Sequence, residues 1–286
     1  MVLTHNTTDA INRLAVKFPY DNDKSVVISH AEHHANDLPW RNRGKVARVP
    51  VSPAGEIDPD DLDRVLLKEA KRTRLVSMTG ASNVTGTIQP IHELARVAHK
   101  YGIPIAIDAA QLAPHVPINM AGSGPDDRID FLMLSAHKMY APMGGGALIG
   151  IHEFFANTCP SVRGGGAVKA VEPDAVFWAD PPERDEAGSP NVLGAVSMAA
   201  AMAELKRIGW DVLEEAENRL TKRFINGLLQ IDGAILYGLG TDNLDRRLGV
   251  IAFNLGDIPH AKVAAILAYE HGIGVRNGCF CAHPFV

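Results

Sequence analysis

Short apolar runs alternate with helical patterns along the first half of the chain. Two amphipathic segments, at 58–72 and 91–102, have the apolar spacing of helices, and the first begins with acidic residues suited to a helix N-terminus. The runs that resemble strands are SVVISH (25–30), KVARVPV (45–51), RLVSMTG (74–80), PIAIDAA (104–110), FLMLSAH (131–137) and GALIGI (146–151). Strands separated by helices predict an α/β fold whose mostly parallel sheet is covered on both faces.

The pattern weakens between residues 152 and 190, where Gly and Pro are frequent. We interpret this stretch as a connection that carries functional loops. Beyond it the spacing predicts helices at 192–208 and onward to about 230, a strand at 249–256, a helix at 261–271 and a final strand in IGVRNG (273–278). The sequence therefore predicts a large domain over 1–185 and a smaller, incomplete α/β domain over 186–286.

Composition narrows the class of protein. The 286 residues are 46% hydrophobic, which is enough to bury a large core, and the net charge of −5 provides no basic face for nucleic acid. No apolar stretch approaches the roughly 20 residues of a membrane-spanning helix, and the N-terminus lacks a secretory pattern. Three cysteines cannot build a disulfide framework for a chain of this size. We expect a cytoplasmic protein with no nucleic-acid or membrane partner.

Polar side chains follow the strand-like runs at the points where those runs end. Because ligands gather at the carboxyl ends of parallel strands, we expect these side chains to form one site. They are His33 and His34 after the first run, Asn83 after the third, Asp108 and Gln111 at the end of the fourth, and His137 and Lys138 at the end of the fifth.

The residue types in this set fit pyridoxal 5'-phosphate (PLP). PLP needs a lysine for its aldehyde, an acid at its pyridine nitrogen and an anion site for its phosphate. Lys138 and Asp108 are candidates for the first two, and Thr7 and Thr8, where a loop enters a helix, are candidates for the third. A surface lysine, an N-cap aspartate and plain N-capping threonines remain the alternative interpretations.

Three further side chains would complete a PLP site. His33 can stack flat on the ring, although a lone histidine is more often structural. Asn83 and Gln111 can form hydrogen bonds with the ring hydroxyl.

Cys281 is a candidate nucleophile in the segment RNGCFCAHP. Arg276 lies five residues before it and His283 two residues after it, and nearby positive charge stabilises a thiolate. The C-x-C pair could instead belong to a metal site or be inert. A zinc site needs two more ligands and Cys159 is remote in sequence, so we expect no metal.

Taken together, these segments resemble the class V aminotransferase-fold enzymes, in particular the group II cysteine desulfurase and selenocysteine lyase branch. The similar motifs occur in the family's order along the whole chain: NTTDAIN, AEHHANDLPW, TGASNVTGT, IDAAQLAPH, SAHKMYAPMGGG, RGGG, EAGSPN and VRNGCFCAHP. The resemblance implies the PLP-dependent transferase fold type I, with a large domain and a smaller one.

The resemblance also implies a role for each residue that matches a family motif. These roles are the Schiff-base lysine (Lys138), the pyridine nitrogen partner (Asp108), the ring-stacking side chain (His33), contacts on the ring oxygen side (Gln111, Asn83), phosphate contacts (Thr8, Ser135, His137, with Ser189 from the second subunit), the substrate carboxylate partner (Arg276) and the persulfide carrier (Cys281).

The activity that the resemblance implies is removal of sulfur from L-cysteine, giving alanine and a persulfide on Cys281. It also implies a homodimer, with a sulfur-acceptor protein as a possible partner. An aminotransferase, epimerase or lyase acting on another amino acid is the alternative, since those relatives share most cofactor motifs. A truncated, inactive homologue is a third reading.

The sequence departs from the family pattern at several places. Asn6 stands where the family usually has Gly, and Cys279 and Phe280 stand where the group II pattern commonly has two histidines. The resulting GCFC segment also resembles the loop of molybdenum cofactor sulfurases. Family members carry a segment before the TT motif and a stretch after the catalytic cysteine that this sequence does not include.

Overall fold

A seven-stranded sheet forms the centre of the protein. The computed structural model describes all 286 residues. The strands of this sheet are β1 (Val2–Thr4), β2 (Ser25–Ser29), β3 (Lys45–Val49), β4 (Thr73–Thr79), β5 (Ile105–Asp108), β6 (Phe131–Ser135) and β7 (Gly146–Gly150). Their order is β1-β7-β6-β5-β4-β2-β3. The five adjacent strands β6, β5, β4, β2 and β3 are parallel, whereas β7 is antiparallel to both β6 and β1.

Helices cover both faces of the sheet and continue into the second half of the chain. They are α1 (Thr7–Val16), α2 (Leu38–Arg41), α3 (Pro59–Glu69), α4 (Ile91–Lys100), α5 (His152–Asn157), α6 (Val192–Ile208), α7 (Trp210–Leu228) and α8 (His260–His271). The start of α3 follows from its sequence, because the Asp58 carboxylate accepts from the Asp60 N–H and Pro59 occupies the first turn. Asn6 caps α1 in the same way, through the N–H of Asp9.

Two cores lie on opposite faces of the sheet. Leu62, Leu66 and Leu94 from α3 and α4 are fully buried on one face. Ile11 and Leu14 of α1 are fully buried on the other. The central strands β5 and β6 are buried along their whole length and are apolar up to their last residues, as a parallel sheet covered on both faces requires.

The strand order places a crevice at the carboxyl edge of the sheet. The chain runs from β2 outward to β3, then returns to the other side of β2 and continues through β4, β5 and β6. The loops after β2 and β4 therefore diverge, which is the position at which open α/β sheets bind ligands. Thr4 pairs with Gly146, so α1 begins at the same edge.

The predicted strands and helices of the first half are confirmed, whereas the second half needs corrections. The stretch 152–190 is more than a connection, because it contains α5 and a hairpin of β8 (Val168–Glu172) and β9 (Ala175–Trp178). The predicted strand at 249–256 is confirmed as β11 (Ala252–Leu255), which pairs with β10 (Ala234–Tyr237), a strand the pattern did not indicate.

The prediction of a final strand at 273–278 is wrong. These residues pair with no strand and follow the left-handed Gly272, which ends α8. Without a neighbouring strand, an apolar run has no backbone partners for a ladder.

The division into domains at residue 185 stays a prediction. Among the helices, none combines the length and the apolar character that crossing a membrane requires.

Candidate active site

A cavity of about 210 Å³ opens at the carboxyl edge of the sheet. Loops after β2, β4, β5 and β6 and the start of α1 form its wall, as the parallel topology predicts. Its lining residues include Asn6, Thr7, Thr8, His33, Thr79, Asn83, Asp108, Gln111, Ser135, His137 and Lys138. The structure therefore brings together every predicted cofactor residue except Ser189.

Asp108 is the buried acid of this cavity. Asp108 is the last residue of β5 and is 4% exposed. The carboxylate accepts one hydrogen bond, at Oδ1 from the Ala110 N–H at 2.9 Å, and no protein donor reaches Oδ2. Burial raises the pKa of Asp108, while the Ala110 N–H and the charge of Lys138 oppose that rise. A cationic N–H donor in the cavity would satisfy the carboxylate.

Lys138 lies in a 3-10 turn, Ala136–Met139, directly after β6. Its Nζ donates to the Gln111 Oε1 at 3.0 Å. Burial lowers the pKa of Lys138, and the negative charge of Asp108 only partly offsets this effect. A lowered pKa increases the fraction of neutral amine, which is the form that attacks an aldehyde.

His33 is held in a defined orientation and tautomer. Its Nδ1 accepts from the Ala35 N–H at 3.0 Å, so the proton of the neutral ring lies on Nε2. Burial lowers the pKa of His33, and the charges of Lys138 and His34 lower it further. The ring is therefore neutral at physiological pH and can lie against another flat ring.

The N-terminus of α1 forms one end of the cavity. Ser135 Oγ accepts from the Thr7 N–H at 2.8 Å and lies 2.8 Å from the Thr7 hydroxyl. Asn6 has extended backbone angles that any residue adopts, so its presence in place of Gly causes no strain. The close approach is made instead by Gly146, where a Cβ would lie 2.7 Å from the Asn6 Cα. Of the first four N–H groups of α1, only that of Thr8 has no acceptor within the chain, and the helix dipole adds to its attraction for an anion.

The segment around Cys281 is bound to the rim of the cavity. The Asn83 side-chain amide donates to the Phe280 carbonyl at 2.8 Å, and the His34 N–H donates to the Cys281 carbonyl at 2.7 Å. Phe280 and Cys281 both have positive φ, of 49° and 57°, which is uncommon for side chains of their size. The Cys281 side chain is exposed. These contacts keep a strained, accessible thiol segment next to the cavity.

A histidine pair strengthens this attachment. The rings of His34 and His283 are stacked with centroids 4.9 Å apart, and His283 Nδ1 lies 3.1 Å from His34 Nε2. The His283 N–H also donates to that nitrogen at 3.3 Å. Sequence reasoning placed His283 beside the thiol but did not identify His34 as its partner.

The two remaining predicted residues lie outside the cavity. Ser189 lines a separate cavity of about 80 Å³ between the end of β1 and the start of α6. Arg276 is exposed in the irregular segment after α8. The structure contains no group of three or more His, Cys, Asp or Glu side chains that could hold a metal ion.

Two residues at the site were missed by the sequence analysis. Thr79 ends β4 and lines the cavity, and Glu32 is a buried carboxylate immediately before His33. Glu32 comes shortly after the run at 25–30, and Thr79 lies near the end of the run at 74–80. A polar residue at the end of a strand-like run is the signal that could have identified both.

A family match and individual relatives of this chain point to the same family of proteins. The family described as "Aminotransferase class-V" matches residues 1–286. The chain is 34% identical to a "Probable cysteine desulfurase" of Xylella fastidiosa and 36% identical to a "Cysteine desulfurase" of Dickeya dadantii, covering all of this chain and 68% of each relative.

Solved structures agree with these relatives. The apo cysteine desulfurase from Thermococcus onnurineus NA1 superposes with a TM-score of 0.90 at 33% identity, and the cysteine desulfurase CsdA from Escherichia coli with a TM-score of 0.87 at 29% identity. In both comparisons 99% of this chain and 70% of the other are covered.

We expect Asn83→Ala to loosen the Cys281 segment, because the variant removes one of the hydrogen bonds that hold it. Amide hydrogen exchange in the peptide 278–286 should become about fivefold faster, since one hydrogen bond contributes about 1 kcal/mol. Asn254→Ala, which removes an exposed bond to the Tyr237 hydroxyl, is the matched control and should leave this peptide unchanged. Unaltered exchange in the Asn83 variant would contradict the attachment.

Proposed function

This chain belongs to the class-V aminotransferase family, and we propose that it acts as a PLP-dependent cysteine desulfurase. The single observation that carries the proposal is the cavity. It combines a buried carboxylate with a free oxygen, a lysine of lowered pKa and a helix N-terminus, with an exposed cysteine segment bound to its rim.

The residues of the cavity fit PLP. Asp108 Oδ2 lacks a protein partner and would accept from the protonated ring nitrogen. His33 offers a neutral ring for stacking, and Asn83 and Gln111 lie on the cavity wall where they would contact the ring oxygen. Thr7, Thr8, Ser135 and His137 would surround the phosphate at the start of α1.

The residues of this chain would share the work as follows. When bound, PLP supplies an aldehyde that takes up the substrate amine and a cationic ring that accepts electrons. The negative charge of Asp108 keeps the ring nitrogen protonated. The neutral amine of Lys138 removes the proton from the substrate Cα as a general base. Arg276 would bind the substrate carboxylate through two parallel hydrogen bonds.

The sulfur transfer uses Cys281. Its thiolate sulfur attacks the sulfur of the substrate, so that an S–S bond forms and the Cβ–S bond of the substrate breaks. The electron pair of the broken bond stays with the carbon fragment, which takes up one proton at Cβ, regains at Cα the proton that Lys138 removed, and leaves as alanine. Cys281 retains the extra sulfur as a persulfide, ready for an acceptor protein. The thiol form requires a reducing compartment such as the cytoplasm.

We also propose a homodimer that supplies Ser189 to the phosphate site of its partner. Ser189 does not line the main cavity of its own chain. Beside it lies an apolar patch, in which the loop after Lys138 contacts α6 through the Asn191 amide and the Met143 carbonyl. The patch consists of Tyr140, Met143, Val192, Leu193 and Val196, each between 60% and 74% exposed in the single chain. An exposed patch of this kind marks an association surface.

Within each protomer, we place the boundary between the large domain and the smaller one at residue 185.

Cys281→Ser should abolish alanine release from L-cysteine while leaving PLP absorbance intact, because serine cannot take up sulfur. The measurement is alanine formation together with the absorbance spectrum of the bound cofactor. Cys159→Ser, at another exposed cysteine, is the control and should retain full activity. Alanine release that survives in the Cys281 variant would instead favour a transaminase, epimerase or lyase reaction.

Leu193→Glu should convert the dimer to a monomer, because it places a charge in the apolar patch. Light scattering after size exclusion would measure the mass, and a PLP titration would measure the affinity, which should fall at least tenfold when Ser189 is no longer supplied. Leu67→Glu, at an equally exposed leucine on α3, is the matched control. A Leu193 variant that remains dimeric would contradict the proposed surface.

A further inference from the structure

Glu32 is a second buried carboxylate close to the cavity, and none of the roles above uses it. It lies in the turn between the end of β2 and His33 and is 1% exposed. No lysine, arginine or histidine forms an ion pair with it. A fully buried charge without a cationic partner is costly and requires an explanation.

The hydrogen bonds around Glu32 suit the ionised form. Oε1 accepts from the Ser29 hydroxyl at 2.6 Å and from the Thr79 N–H at 3.0 Å. Oε2 accepts from the Asn36 side-chain amide at 2.7 Å. Both oxygens therefore act as acceptors, as a carboxylate does.

The orientation of Asn36 is fixed by the next layer of contacts. Its Oδ1 accepts from the Trp40 indole N–H at 3.0 Å and from the Ser77 hydroxyl at 2.7 Å. The amide cannot be reversed without losing both bonds, so the Nδ2 donor must face Glu32. A proton or an amide group at Glu32 Oε2 would then meet another donor.

Thr79 connects this network to the cavity. It donates its N–H to Glu32, lines the cavity and lies beside Asp108 in the pairing of β4 with β5. Two buried carboxylates therefore lie behind one cavity. Burial, with the charge of Asp108 as a smaller contribution, raises the pKa of Glu32 to about 7, while its hydrogen-bond donors oppose the rise. A cation in the cavity would stabilise both negative charges.

We propose that Glu32 is a positioning residue that acts on the cofactor through Asp108 and Thr79, adding a second negative charge behind the site of the cationic ring nitrogen. The same carboxylate joins the ends of β2 and β4 and so fixes the turn that carries His33. This inference rests on the PLP site proposed above. It predicts that the charge of Glu32 makes the site bind a cationic ring more tightly than a neutral ring of the same shape.

The test compares the binding of two cofactors to the full chain at pH 8. One is PLP and the other is 1-deaza-PLP, in which a C–H group replaces the ring nitrogen and no cation can form. Affinities are measured by fluorescence titration for the unaltered chain, for Glu32→Gln and for Ser77→Ala. The serine variant removes a hydrogen bond of the same network and leaves the charge of Glu32 in place.

We expect the ratio of PLP affinity to 1-deaza-PLP affinity to fall about tenfold in Glu32→Gln, because a nearby charge in a protein interior contributes on this scale. The ratio should be unchanged in Ser77→Ala even if that variant is less stable. An unchanged ratio in Glu32→Gln, with both cofactors weakened equally, would overturn the inference and leave the PLP site in place. Failure of the unaltered chain to bind either cofactor would overturn the PLP site itself.

A second measurement uses the unaltered chain and does not depend on a variant that folds. Carbon NMR of labelled glutamate side chains would follow the ionisation of Glu32 with and without each cofactor. Binding of PLP should lower the pKa of Glu32, whereas binding of 1-deaza-PLP should not. Equal titration of Glu32 in both complexes would overturn the inference.

Discussion

A carboxylate buried at the end of a parallel strand is the constraint on which the site depends. Asp108 follows three apolar residues of β5 and has a single protein donor, so its negative charge is only partly compensated within the chain. Burial of this kind raises the free energy of the ionised form, and a cationic ligand offsets that cost. The remaining polar groups of the cavity are arranged around the place where such a ligand would lie.

The sheet determines which groups meet there. Because β4, β5 and β6 are parallel and adjacent, their carboxyl ends bring Thr79, Asp108 and Lys138 to one edge. The antiparallel β7 and β1 return the chain to that edge, where α1 begins. A buried carboxylate, an amine and a helix N-terminus thus meet at one edge because of one strand order.

The sequence predicted this edge well because its signals are local. Asp108 and Lys138 each follow an apolar run, and the helix that starts at Thr7 carries its own cap. The contacts it missed join distant residues: Glu32 binds an N–H 47 positions away, and Asn83 binds a carbonyl 197 positions away. The false strand at 273–278 failed for the same reason, since a strand requires a partner that the apolar pattern does not identify. Ser189 lines another cavity of its own chain, and the role that the resemblance implies for it requires a second subunit, which a single chain does not show.

The most direct test of the central claim is to add PLP to the purified chain, reduce the complex with borohydride and map the modified peptide. Lys138 has a lowered pKa and is the one lysine that lines the cavity. It should therefore carry the adduct, with one PLP bound per chain. The adduct should disappear in Lys138→Ala. Modification spread over exposed lysines, or absent from Lys138, would contradict the account.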